Sequence, residues 1–303
     1  MHYADMMANI ASGDGFIAAL DQSGGSTPKA LKGYGVEEGA WNSDKEMFGL
    51  IHEMRCRIIR AGSFTGKKVI GAILFERTMN GNVDGMPVPA ALIAQGVVPF
   101  LKIDQGLEAE GFGGFGGVQL MKPIKGLDAL LTHAKSLGVF GTKERSVINS
   151  ASRSGIAAVV AQQFELAARV LAHGLMPIIE PEVNITSETR AECDAILLDE
   201  LHKALDAVPA GTQVMLKVSL PVEAGMFAPL TAHPAVLRVV ALSGGYSRAD
   251  ACTELARNHG IIASFSRALL EDLRHPMSTE EFDAALGTAI DEIHQGSTVK
   301  ASA

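Results

Sequence analysis

The chain has 303 residues, of which 47% are hydrophobic and 20% charged, and this composition excludes a disordered or collagen-like protein. Its net charge of −8 argues against general binding to nucleic acid or to an anionic membrane, because both require a basic face. The three cysteines are far apart, no N-terminal basic segment precedes an apolar one, and no apolar run approaches the ~20 residues of a membrane span. We therefore expect a cytoplasmic protein without a disulfide framework, signal peptide or membrane segment.

Short apolar runs recur along the chain and predict eight strands. They lie at residues 16–20, 69–75, 97–103, 139–143, 175–180, 213–217, 238–243 and 260–265. Most lack polar alternation, as parallel strands buried on both faces do. Helix-like stretches separate the strands, so the pattern predicts right-handed βαβ units in one α/β domain over residues 1–303. A (β/α)8 TIM barrel is the expected fold, with a doubly wound open sheet as its rival, and residues 296–303 are expected to form a frayed tail.

Charged residues cluster where the predicted strands end. They are Asp21, Glu76, Lys102, Lys143, Glu180, Lys217 and Arg267. Active sites of (β/α)8 barrels lie at the carboxyl ends of the strands. Charges at seven separate strand ends therefore favour the barrel over the open sheet and predict one shared site.

Lys217 ends a buried strand and is the candidate nucleophile. Apolar walls disfavour its ammonium form and lower its pKa, and Lys143 is the candidate for a second cation that lowers it further. A neutral amine can attack a ketone and form a Schiff base. The alternative is a rim lysine that extends to solvent.

The segment Glu180-Pro181-Glu182 is the second candidate for chemistry. Residues i and i+2 of an extended segment point to the same side, and proline favours an extended conformation before it. One carboxylate can then stay ionised beside a lysine while the other transfers protons. A solvated pair of loop carboxylates is the alternative.

Several segments are suited to anionic oxygens. Lys102, Lys143 and Arg145 add positive charge, and glycine and hydroxyl residues after the first strand can form a backbone cradle, although a surface turn is the alternative there. The loops after the seventh and eighth strands form the common phosphate site of the barrel fold. Here they contain Ser243, Gly244, Gly245, Ser264, Ser266 and Arg267. Basic groups on both sides of the mouth indicate a substrate with two phosphates.

Two features indicate that no metal or other cofactor is needed. Gly111-Phe-Gly-Gly-Phe-Gly116 matches a dinucleotide-binding pattern only formally, because it neither follows a predicted strand nor opens a helix. No two of the nine histidines are closer than 16 residues, whereas helical ligand pairs need spacings of three or four. We interpret the glycine segment as a flexible loop.

The chain resembles the class I fructose-bisphosphate aldolases, most of all their shorter bacterial branch, from Asp21 to Arg267. The resemblance lies in short motifs in the right order: Ala19-Leu-Asp-Gln-Ser-Gly-Gly-Ser26, Ile73-Leu-Phe-Glu76, Gly96-Val-Val-Pro99 with Lys102, Lys143-Glu-Arg145, Pro177-Ile-Ile-Glu-Pro-Glu182, Leu216-Lys217 and Leu242-Ser-Gly-Gly-Tyr-Ser247. It implies metal-independent, reversible cleavage of fructose-1,6-bisphosphate in glycolysis and gluconeogenesis. The same chemistry on another ketose bisphosphate, or a non-catalytic sugar-phosphate binder, is the alternative, and a homo-oligomer stays open.

The resemblance also implies roles for single residues. Lys217 would be the Schiff-base lysine, Glu180 the main proton shuttle and Asp21 the base for the C4 hydroxyl, while Lys143 and Glu182 would tune the charge around Lys217. The C1 phosphate would be held by Ser243, Gly244, Ser266 and Arg267, and the C6 end by Ser23, Ser26, Lys102 and Arg145. Three departures stand out: Gln22 replaces a usual Glu, Ser266 replaces a usual Gly, and the chain lacks the terminal tyrosine of the muscle-type enzymes.

Overall fold

The computed structural model describes residues 1–23 and 26–302, and for Ser26 it describes the backbone alone. Eight parallel strands form the barrel of its main sheet. They are β1 (Phe16–Leu20), β2 (Val69–Leu74), β3 (Val98–Lys102), β4 (Gly141–Ile148), β5 (Met176–Val183), β6 (Val214–Ser219), β7 (Val236–Leu242) and β8 (Ile261–Ala263).

Each strand pairs in parallel with the next one along the chain, from β1 to β8. Across the remaining seam, the backbone N–H of Ala19 donates to the carbonyl oxygen of Phe265 at 3.0 Å. The sheet is therefore a nearly closed barrel of eight parallel strands. The predicted (β/α)8 fold is confirmed, and the open-sheet alternative is wrong.

Helices follow the strands and cover the outside of the barrel, except that the first helix precedes β1 and packs through Met6 and Ile10 against the apolar interior. They are α1 (Tyr3–Ser12), α2 (Ser26–Gly33), α3 (Asp44–Arg60), α4 (Glu76–Met79), α5 (Val88–Ala94), α6 (Leu127–Ser136), α7 (Arg153–Ala172), α8 (Arg190–Asp206), α9 (Ala228–Thr231), α10 (Arg248–Ala256), α11 (Arg267–Leu270) and α12 (Thr279–Thr298). Short strands Asn82–Val83 and Met86–Pro87 form a hairpin after α4.

The strands are apolar on both faces because each face is buried. Ile17, Ile73, Phe100, Met215 and Val240 belong to a cluster inside the barrel, while the outward side chains pack beneath the helices. Burying one such side chain contributes roughly 1.5–3 kcal/mol. The alternation along each strand fixes which side chains reach the mouth, because residues two apart share a face.

Strands β4 and β5 are longer than predicted. Their predicted ends are residues 143 and 180, but their ladder has eight pairs in all and runs from Gly141 and Met176 to Ile148 and Val183. The outer end of β4 gains a further partner, the short antiparallel strand Val118–Gln119. Lys143, Glu180 and Glu182 consequently stand on regular strand rather than in loops, which gives their side chains defined directions.

Helix α7 has the length and composition of a helix that could cross a membrane, contrary to the expectation that no segment approaches this. It packs against β4, β5 and α8 in the shell of the barrel. Its buried positions include Ile156, Val159 and Val160. The apolar character of α7 is thus explained by this packing.

The expectation of a frayed C-terminal tail is wrong. Helix α12 continues to Thr298, and the hydroxyl of Ser297 accepts a hydrogen bond from the backbone N–H of Ala263 at 3.0 Å. The ammonium of Lys300 donates to three backbone carbonyls, including that of Ile261 at 2.7 Å. Glycine fits at position 296 because a Cβ there would lie 3.1 Å from Cys252. The tail is anchored beside β8.

A chain that ends after Gln295 should consequently be less stable by about 2–4 kcal/mol, because the truncation leaves the buried N–H of Ala263 without its partner and removes the last turn of α12. Urea unfolding measures this difference. A chain that lacks only Ser302 and Ala303 keeps the contacts of Ser297 and Lys300 and serves as the control. Equal unfolding midpoints for both truncated chains would show that the anchoring contributes nothing.

Candidate active site

A cavity of about 1010 Å³ opens at the carboxyl ends of the barrel strands. All seven charged residues that the sequence places at strand ends line it. Among the other site residues named from the sequence, all those whose side chains the structure describes also line it, except Gly245. The side chain of Ser26 lies outside the described residues. The barrel therefore brings together side chains that are scattered over most of the chain.

Lys217 stands near the end of β6 and is only 3% exposed. It points into the mouth because Met215, two residues earlier on the same strand, points into the barrel interior. Burial lowers the pKa of Lys217, and the nearby cation Arg145 lowers it further, against the opposing charges of Asp21 and Glu182. The neutral amine is thereby favoured relative to a lysine in water.

Glu180 forms a bridge between the buried amino groups of two lysines. One carboxylate oxygen lies 2.9 Å from Nζ of Lys217, and the other contacts Nζ of Lys143. Lys143 also donates to Asp21 at 3.1 Å. The result is a continuous buried chain from Lys217 through Glu180 and Lys143 to Asp21, along which protons can be redistributed over short distances.

The charge state of this chain follows from its contacts. Burial raises the pKa of Asp21, but Lys143, Lys217 and Lys102 outweigh that effect and hold the pKa of the carboxyl below its ordinary value. Burial lowers the pKa of Lys143, while the carboxylates of Asp21 and Asp104 oppose that change. Asp21 is therefore ionised at neutral pH and able to accept a proton.

Glu182 shares strand β5 with Glu180 but has a different partner. Its carboxylate accepts a charge-assisted bond from Nε of Arg145 at 2.5 Å. The two carboxylates do enter one cleft, as the i, i+2 spacing predicts. Their partners separate them, because Glu180 contacts the two lysines and Glu182 contacts the arginine.

Lys102 has a partner that was not among the residues predicted from the sequence. Its ammonium lies 2.7 Å from a carboxylate oxygen of Asp104 and 2.8 Å from the carbonyl oxygen of the same residue. Asp104 is largely buried and lines the cavity. The i, i+2 spacing of Lys102 and Asp104 at a strand end is the signal that would have found it.

The loops after β7 and β8 meet beside Arg267. Gly244 and Gly245 have positive φ angles of 61° and 123°, and a Cβ on Gly245 would lie 3.6 Å from the guanidinium of Arg267. A Cβ on Gly244 would lie 2.6 Å from Ile185. Glycine is therefore required at both positions. Gly245 does not line the cavity itself but lies against the arginine that does.

Gln22 connects the first and last loops of the barrel. Its side-chain amide donates to the hydroxyl of Ser266, and its carbonyl oxygen accepts from the guanidinium of Arg55. Arg55 is 1% exposed and also donates to Thr78 at 2.7 Å. Burial lowers the pKa of Arg55 to about 10, so it stays charged at neutral pH. Arg55 was not predicted as a site residue from the sequence, although its place on the apolar face of α3 marks it as unusual.

Within residues 1–23 and 26–302, no group of three or more His, Cys, Asp or Glu side chains is arranged to hold a metal ion. The glycine segment at residues 111–116 contains a 3₁₀ turn, Phe112–Gly114, that lies outside the barrel strands.

A buried lysine amine in contact with a carboxylate, at the mouth of a (β/α)8 barrel, defines a class of site equipped for covalent chemistry on a carbonyl carbon. The family model of class-I fructose-bisphosphate aldolases matches residues 3–220. The chain belongs to this family, as the resemblance predicts, and is a lyase of the aldolase type.

Two solved structures show the same fold. The fructose-bisphosphate aldolase from Plasmodium falciparum superposes with a TM-score of 0.78 at 20% sequence identity, over 99% of this chain and 96% of that one. The protein Cgl0159 from Corynebacterium glutamicum superposes with a TM-score of 0.57 at 13% identity, over 97% of this chain and 92% of that one. At these identities the likeness concerns the fold.

Proposed function

We propose that the protein is a cytoplasmic enzyme of glycolysis and gluconeogenesis that cleaves fructose-1,6-bisphosphate reversibly, through a Schiff base on Lys217. The products are dihydroxyacetone phosphate and glyceraldehyde-3-phosphate. One observation carries the proposal: the amine of Lys217 is buried, has a lowered pKa and lies 2.9 Å from Glu180. A binding protein needs phosphate contacts but has no use for a buried nucleophile with an attached proton carrier.

Formation of the Schiff base uses Lys217 and Glu180. The neutral amine attacks the C2 ketone of the open-chain sugar, the C2 oxygen takes up a proton from solvent, and the resulting carbinolamine loses its hydroxyl as water. Glu180 receives a proton from the amine and returns one to the leaving hydroxyl, because it lies within hydrogen-bonding distance of Nζ. The product is an iminium ion on C2, which is the electron sink for the next step.

Cleavage uses Asp21. Its ionised carboxylate removes the proton of the C4 hydroxyl, the C3–C4 bond breaks, and its electron pair moves into the iminium to give an enamine. Glyceraldehyde-3-phosphate leaves. Protonation of the enamine at C3 and hydrolysis by water then release dihydroxyacetone phosphate and regenerate Lys217. Lys143, between Asp21 and Glu180, stabilises negative charge on whichever carboxylate is ionised.

The phosphates would lie on opposite sides of the mouth. Ser243, Gly244, Ser264, Ser266 and Arg267 would hold the C1 phosphate, with Gly245 packed against Arg267. Ser23, Ser26, Lys102 and Arg145 would hold the C6 end. Lys102 would exchange part of its bonding to Asp104 for the phosphate. Because Arg145 is held by Glu182, its guanidinium stays oriented within the cavity.

Arg267→Ala should weaken turnover of the bisphosphate by about 10–100-fold in kcat/KM, because it removes a charge-assisted contact worth about 1.5–3 kcal/mol. A ketose without the C1 phosphate should lose much less. Steady-state kinetics on the two substrates measure the difference. Equal losses on both would show that Arg267 acts through the structure of its loop.

Borohydride reduction in the presence of dihydroxyacetone phosphate, followed by peptide mass spectrometry, tests the proposal. We expect a reduced adduct on Lys217 and full cleavage activity in EDTA. Loss of activity that zinc or cobalt restores would instead indicate metal-dependent chemistry. Comparing the fructose, tagatose and sedoheptulose bisphosphates would identify the preferred ketose. Binding of the sugar phosphates without adduct or cleavage would support a non-catalytic binder.

A further inference from the structure

A side-chain hydrogen bond crosses the seam where the barrel closes. The amide nitrogen of Gln22, after β1, donates to the hydroxyl oxygen of Ser266, after β8, and both residues line the cavity. Arg55 holds the backbone carbonyl of Gln22, so the glutamine is fixed at both its main chain and its side chain. This side-chain hydrogen bond crosses the same seam as the backbone hydrogen bond between Ala19 and Phe265.

The direction of this bond determines what Ser266 can do for a ligand. A serine hydroxyl has one proton to donate and two lone pairs to accept with. Because the amide of Gln22 supplies the donor here, the hydroxyl of Ser266 is the acceptor and its own proton points elsewhere. Ser266 directly precedes Arg267 in the cavity wall. An anion held by Arg267 would therefore meet the hydroxyl as a second donor.

We propose, on the basis of the function proposed above, that Gln22 is a positioning residue that makes the Ser266 hydroxyl a hydrogen-bond donor to the C1 phosphate. A glutamate at position 22 would do the opposite. Its carboxylate would accept the hydroxyl proton, so that the phosphate loses a donor and also meets a nearby negative charge. The two departures from the family pattern, Gln22 and Ser266, are thus joined in one hydrogen bond and act as a pair.

A double-mutant cycle tests this pairing with Q22E, S266G and the combined variant. The readout is the dissociation constant of dihydroxyacetone phosphate, from the concentration dependence of borohydride inactivation. We expect about a 30-fold rise for Q22E and about a tenfold rise for S266G, the sizes that follow from losing one donor with and without added repulsion. The combined variant should be no worse than Q22E, about tenfold better than independent losses predict.

Unphosphorylated dihydroxyacetone provides the internal control, because it lacks the group that Ser266 is inferred to bind. Its inactivation should change by less than about twofold in every variant. Gln22→Met is a second probe that keeps the side-chain length but removes the donor, and it should raise the constant about threefold. Gln213→Glu adds the same charge at the amino end of β6, away from the cavity, and should change nothing.

Three results would overturn the inference. Independent losses in the combined variant would show that Gln22 and Ser266 do not act as a pair. Equal losses with dihydroxyacetone and its phosphate would show that the contact serves only the loop structure. Failure of the unmodified protein to form any adduct would refute the proposed function itself and this inference with it, and that outcome is recognisable before any variant is made.

Discussion

Replacing Lys217 with methionine should abolish both cleavage and borohydride trapping, with a loss in kcat of at least about 10⁴-fold, because the covalent route has no other nucleophile. The other buried amines are committed to partners: Lys143 lies between Asp21 and Glu180, and Lys102 is bound to Asp104. Methionine resembles the lysine stem in length and is compatible with apolar walls. A coupled cleavage assay and mass spectrometry of the reduced protein measure the two losses.

Lys203→Met is the matched control for this substitution. Lys203 lies on α8 with its side chain 65% exposed, so its replacement should leave cleavage and trapping unchanged. Urea unfolding should show that the Lys217 variant remains folded but less stable, because methionine fills the volume of the lysine stem while Glu180 loses one buried partner. A reduced adduct on Lys102 or Lys143 in the unmodified protein would contradict the assignment of the nucleophile.

Much of this site could be predicted because, in a parallel barrel, the order of the strands along the chain determines where each strand end lies. Each buried strand is a recognisable apolar run, and in a closed parallel barrel the carboxyl ends of all strands meet at one mouth. A charge at a strand end, such as Lys217 or Arg267, therefore has a predictable place even when its neighbours are distant in sequence. The ends of β4 and β5 were predicted wrongly because a strand from residues 118–119 extends the ladder, and no local pattern shows that pairing.

The pairing of side chains within the mouth could not be predicted. Glu180 and Glu182 are the same residue type on the same face of one strand. Glu180 nevertheless bridges two lysines and Glu182 binds Arg145, because the neighbouring strands determine their partners. The C-terminal tail shows the same limit. Its small polar residues resemble a disordered end, but Gly296 is small because Cys252 lies against it.

Glu180→Gln should lower kcat by about a thousandfold, within the range typical of losing a general acid–base group. The amide keeps the size of the carboxylate and can still contact one ammonium, but it cannot take the proton from Lys217 or return it to the leaving hydroxyl. KM should change much less, because no phosphate contact is removed. Rapid mixing with borohydride at increasing times would show slow formation of the Schiff base and locate the defect before the cleavage step.

Glu182→Gln is the matched control for the Glu180→Gln variant. It makes the same change on the same strand, but Glu182 contacts Arg145 rather than the amine of Lys217. The loss of activity in this variant should therefore be about tenfold or less. It should affect KM, through a less firmly held Arg145, as much as kcat.

Loss of the Glu180 carboxylate also leaves the amino groups of Lys143 and Lys217 close together without a negative charge between them. This lowers the pKa of Lys217 further, so that its amine stays neutral. A residual slow adduct in the Glu180 variant is consequently expected. If the Glu182 variant were the more damaged of the two, and its Schiff base the slower to form, the main proton shuttle would have to be Glu182.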